Sequence, residues 1–138
     1  MEKNIIKGAV AGVATAFTYL FGAWDMALKV LVTLMLLDYG TGVLRGWVSK
    51  ELSSNIGLVG IARKGLILAV LIVAVSLDRL IGGDDWVFRT LVCYFYIANE
   101  GISIIENCGA MGAPIPEPLM EALVQLKSGN KKDIKKSK

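Results

Sequence analysis

Charged, amide and hydroxyl side chains recur inside otherwise apolar stretches of this chain. In residues 85–107, Arg89, Tyr96, Asn99, Glu100, Ser103, Glu106 and Asn107 recur at steps of three, four or seven. That spacing puts them on one face of a helix, with Leu91, Phe95, Ile97, Ala98, Ile102, Ile104 and Ile105 covering most of the rest. In an earlier apolar stretch, Asp38, Thr41, Gly42 and Arg45 share a face in the same way. In hydrocarbon such groups need polar partners or water, so they mark helix pairing or a hydrated pore. Asp38, Thr41, Arg45, Asn99, Glu100, Ser103 and Glu106 are the residues this argument singles out. An Asp that only hydrogen-bonds to a neighbouring helix explains Asp38 as well as a pore lining does.

The chain around them is strongly apolar. Hydrophobic residues make up 54% of 138, in blocks, and the mean hydropathy is +0.57. A soluble domain of this size could not bury several such blocks in one core. The expected class is all-α: an integral membrane protein of about four transmembrane helices, with a short cytoplasmic amphipathic helix. The helices are expected near 5–23, 27–47, 65–81 and 86–107. Residues 1–108 then form the membrane domain, and 109–138 a cytoplasmic Gly/Pro linker, short helix and basic tail.

The first block is rich in Ala, Gly and Thr. Its Ala14-Thr15-Ala16 has the form of a signal-peptidase site, but apolar Phe17, Leu20 and Phe21 continue past it. If this block is cleaved or lies on the surface, three crossings remain. Gly8 and Gly12 form a small-residue stripe for close helix approach, as do Gly42 and Gly46; short matches of this kind also arise by chance. In the second block a central Asp38 costs about 2.5–3.5 kcal/mol on insertion scales. Each Leu, Ile, Val or Phe returns about 0.3–0.6 kcal/mol, so roughly ten of them outweigh it. Trp24, Trp47 and Trp86 each fall at a predicted segment end, where an indole anchors in the headgroup layer.

Residues 49–64 read as a polar, glycine-containing loop flanked by Arg45, Lys50, Arg63 and Lys64. By the positive-inside rule this loop is cytoplasmic, as are Lys3 and Lys7 at one end and the lysine-rich tail at the other. Both termini are then cytoplasmic. Counted from the outer side, Asp38 lies about 11 residues deep and Glu100 about 14, so their depths differ by ~5 Å. Pro118, after the Gly/Pro break, opens a short helix with Leu119, Leu123 and Leu126 on its apolar face. The tail lysines suit an anionic membrane surface; no arginine or aromatic pattern supports nucleic-acid binding.

The net charge is +3, and the chain has two Cys and no His. No metal-ligand spacing, nucleophile elbow, P-loop or dinucleotide fingerprint is present, so neither a cofactor, a metal nor an enzyme activity is expected.

Three stretches carry a family likeness: LMLLDYGTGVLRGW at 34–47, the Arg63-Lys64-Gly65 loop end, and YFYIANEGISIIEN at 94–107 followed by GAPIPEPLMEALVQLK at 112–127. Together they resemble the toxin secretion/phage lysis holins over nearly the whole chain. The resemblance implies a phage or prophage protein that oligomerises in the bacterial cytoplasmic membrane. It would open lesions at a programmed time, collapse the membrane potential and release an endolysin or a toxin. Its partners would be copies of itself and the lipid bilayer, with the cargo passing without specific binding. Two alternatives stay open: a small ion-channel or transporter subunit using Asp38 and Glu100 as ion ligands, and a non-lytic antiholin.

Overall fold

The computed structural model describes residues 1–128, which form five α-helices and no strand. They are α1 (Glu2–Phe21), α2 (Met26–Val48), α3 (Ser54–Ile81), α4 (Val87–Ala110) and α5 (Glu117–Ser128). The lysine tail beyond Ser128 lies outside the described residues.

Local chemistry sets most of the boundaries. Gly22, at φ 80°, takes the chain out of α1, and Asp25 starts α2 by accepting from the Leu28 N–H at 3.0 Å. Ser53 starts α3 by accepting from Ile56 N–H at 3.3 Å, and Gly82 ends it in the left-handed region. The cap of α4 is tertiary: Asp78 of α3 accepts from the N–H groups of Phe88 and Arg89 at 2.9 and 2.8 Å. Trp86 precedes them at φ 48°, a conformation that costs a non-glycine residue about 1–2 kcal/mol.

α3 begins eleven residues before the expected 65, so residues 54–64 are helix rather than loop. Gly57 and Gly60 let this added stretch approach α2: a Cβ at either would come within about 3.4 Å of the Tyr39 ring or hydroxyl. The extension moves Lys64 from a loop into a helix that faces the bundle.

α2, α3 and α4 share the core. Leu28 and Leu31 of α2, Leu71 and Val75 of α3, and Cys93 of α4 are fully buried there. α1 joins it only at its C-terminal end, through buried Phe21 and half-buried Phe17. The rest of α1 stands exposed, with Gly8 and Gly12 facing open space. α5 doubles back along α4, its Leu123 seated on Gly101 and the Lys127 ammonium 5.9 Å from the Phe95 ring.

By length and composition α1, α2 and α3 are apolar enough to cross a membrane. α4 is not among them, although it is the helix with most buried residues. Two of its charges, Arg89 and Glu100, are covered by its neighbours instead of being absent.

Candidate functional site

The polar residues gather into two clusters with an apolar belt between them. The inner cluster is built from all three core helices. Lys64 of α3 donates through Nζ to the carboxylates of both Asp38 on α2 and Glu100 on α4. The Asn107 amide donates to Thr41 Oγ1 at 3.1 Å and to Asp38 Oδ1 at 3.4 Å. Arg45 closes the edge, donating from Nη1 to the Asn107 side-chain oxygen at 3.4 Å.

Burial grades across this cluster. The Glu100 side chain is 5% exposed and those of Asp38 and Lys64 16%. Arg45 is exposed, so it meets solvent or headgroups while its guanidinium tip reaches inward. Two carboxylates facing one ammonium carry a net negative charge when all are ionised. Arg45, acting through Asn107, is the nearest balancing cation bonded into the network.

The second cluster sits at the other end of the belt. Arg89 of α4 is 5% exposed and donates to the Phe21 carbonyl at 2.7 Å, the Ala23 carbonyl at 2.7 Å and both Asp25 carboxylate oxygens at 2.8 and 3.2 Å. Four acceptor atoms of Phe21, Ala23 and Asp25, at and just beyond the end of α1, thus converge on one planar fork. Arg79 of α3 donates to the Tyr19 carbonyl and lies 4.2 Å from the Tyr19 ring and 5.7 Å from that of Trp86. The Arg89 bonds hold the Asp25 carboxyl below the ordinary aspartate range, a pull that its partial burial only reduces. Among the described residues no fully buried side-chain polar atom lacks a partner, and no group of His, Cys, Asp or Glu is arranged to hold a metal.

Between the clusters, 11 residues of α4 separate Arg89 from Glu100, about 17 Å along the axis. Leu28, Leu31, Leu71, Val75 and Cys93 fill that belt without exposure.

The residues singled out by sequence divide into groups. Asp38, Thr41, Arg45 and Glu100 meet in the inner cluster. Asn99 and Ser103 are half-buried and Glu106 exposed; none of them bonds into it. At about 100° per residue, Asn99 and Glu106 point at least 100° away from Glu100, so the polar face is narrower than the stripe. Gly42 lies under Asn107, with its missing Cβ 3.7 Å from that amide, and Gly46 receives Leu52. Trp47 lies in the last turn of α2, Trp24 in the α1–α2 connection and Trp86 at the start of α4.

Lys64, Asp25 and Asp78 were not among those candidates. Lys64 carried a readable signal: with Gly60, Ile67, Leu71, Ala74 and Asp78 it continues one helical stripe at steps of three and four. Reading the stretch as a loop hid it.

Residues 15–128 match the bacteriophage holin family. The chain is a member of that family. This holin is 60% identical over 129 residues to a 14.9 kDa protein of Clostridium perfringens, spanning 94% of this chain and 96% of the relative. It is 38% identical to a protein of Halalkalibacterium halodurans over 93% of this chain and 98% of that one. A probable holin of Bacillus phage phi105 is 36% identical over 121 residues, 88% of each chain. No solved structure matches. The holins are a non-enzymatic, membrane-lesion-forming family, which makes this chain a helical protein of the cytoplasmic membrane.

Proposed function

We propose that this holin accumulates in the bacterial cytoplasmic membrane as a closed helix bundle, associates with copies of itself, and opens timed lesions. The lesions collapse the membrane potential and let an endolysin reach the cell wall. The observation that carries this reading is the buried apolar belt between two charged clusters. A single bundle keeps Asp38, Lys64, Glu100, Arg45 and Asn107 paired within it. In an assembly these groups gain a water-filled lumen to face, which offsets their cost in hydrocarbon. Small residues on the open face of α1, Gly8 and Gly12, give copies room to approach.

In this reading α1 to α4 cross the membrane, both termini are cytoplasmic, and Trp24, Trp47 and Trp86 sit at the interfaces. α4 crosses because α2 and α3 shield Arg89 and Glu100. Glu117, Glu121 and Lys127 give α5 a polar edge, so it belongs at the cytoplasmic surface whenever α4 is fully in lipid.

The test is inducible expression in a bacterium, with and without an endolysin that lacks its own export signal. Abrupt loss of potential, with lysis only when the endolysin is present, is the expected result. Loss of potential with the endolysin retained inside would replace this reading with a small pore or an ion channel. An unchanged potential at confirmed membrane abundance would replace it with an antiholin.

A further inference from the structure

We infer that Lys64 is a positioning residue that latches the closed bundle, and that breaking its double ion pair sets when lesions open. The inference rests on the lesion-forming reading above. Its basis is one ammonium shared by carboxylates on two different helices. Asp38 and Glu100 both accept from Lys64, so α2 and α4 are tied through α3 at a single atom.

The placement is what makes that atom decisive. Lys64 directly abuts the apolar belt, one turn from buried Ile67. Among the described residues it is the cation that bonds directly to Asp38 or Glu100. Arg45 reaches the cluster only through Asn107 and is itself exposed. Without Lys64, two carboxylates close enough to have shared one ammonium face each other in a poorly screened interior. They then repel, or seek water and outside cations, and both responses drive α2 and α4 apart. With Lys64 alone and both carboxyls neutral, a bare ammonium is left buried and does the same. A network with all three charges removed has neither problem.

This ordering is distinctive. Loss of the cation and loss of both anions each advance the lesion, whereas loss of all three restores the delay. A residue that only packed would show damage that accumulates with each substitution.

The experiment measures lysis onset against membrane abundance in cells co-expressing the exportless endolysin. The variants are Lys64→Met, Lys64→Arg, the double Asp38→Asn/Glu100→Gln, and the triple Asp38→Asn/Lys64→Met/Glu100→Gln. Lys64→Met and the double are expected to lyse at lower abundance than wild type. Lys64→Arg should keep wild-type timing, because it retains the charge and the donors. The triple should shift onset back toward wild type. If Lys64→Met lyses at wild-type abundance, the latch is overturned. If Lys64→Met fails to accumulate, the triple against the double decides, and a triple no later than the double overturns it equally. Failure of the wild-type chain to release the endolysin at all would instead sink the lesion reading.

Discussion

Asp38 on α2 and Glu100 on α4 accept hydrogen bonds from the same ammonium, that of Lys64 on α3. Each carboxylate therefore backs up the other. Asp38→Asn or Glu100→Gln alone leaves Lys64 with one full partner and removes the excess negative charge. Either single change should cost below about 2 kcal/mol, while the double leaves a buried cation unpaired and should cost about 3–5 kcal/mol. Thermal unfolding in detergent, arranged as a double-mutant cycle, measures the difference. Additive losses would show that the two carboxylates do not share Lys64.

Gly22 makes room for the Arg89 cluster. A Cβ there would lie 2.6 Å from Arg89 Nε, and φ of 80° disfavours any side chain. Gly22→Ala should destabilise by about 1–3 kcal/mol and loosen the end of α1 from Arg89. Faster amide exchange at Phe21–Ala23, with the Leu28–Leu71 core unaffected, is the expected signature.

Strong acid should weaken that cluster. Arg89 lowers the Asp25 pKa in the folded chain, so the pair contributes fully above the ordinary aspartate value of about 4. The contribution is lost as pH falls through the lowered folded value. The gap in melting temperature between wild type and Asp25→Asn should therefore be constant near neutrality and close in strong acid. A gap that stays constant into strong acid would rule out the Arg89 contact as the cause.

Gly101 decides whether α5 docks. An added Cβ would lie 2.9 Å from the Leu123 Cδ2 atom. Because that atom ends a flexible side chain, Gly101→Ala should be mild, whereas Gly101→Ile should displace α5 altogether. Trypsin cleavage at Lys127 should then accelerate while the protease resistance of α2 and α4 holds.

The two thiols should differ sharply. Cys93 is wholly buried in the belt and Cys108 half-exposed near the end of α4. A membrane-permeant maleimide should label Cys108 first, and Cys93 only on unfolding. Labelling of Cys93 during lesion opening would show that the belt itself parts.

Much of this protein is legible from its residues alone. Apolar blocks of membrane-crossing length mark α1, α2 and α3, since hydrocarbon selects composition over a span directly. Asp38 and Glu100 announce themselves because a carboxyl in such surroundings needs a partner. Similar depth along their helices even places them near one another. The family likeness rests on local strings as well.

What the partner is was decided only by the tertiary structure. Lys64 ends a stretch whose glycines and serines read as loop; packing against Tyr39 turns that stretch into helix and points the ammonium inward. Asp78 likewise reads as a helix-end acid, and only the return of α4 makes it that helix's cap. Asn99 and Glu106 fit the polar stripe by their steps, but they point at least 100° away from Glu100 around α4 and stay outside the cluster. Spacing fixes which residues share a helix face. Which face is covered, and by what, depends on contacts between segments distant in the chain, and these exist only once the helices have packed.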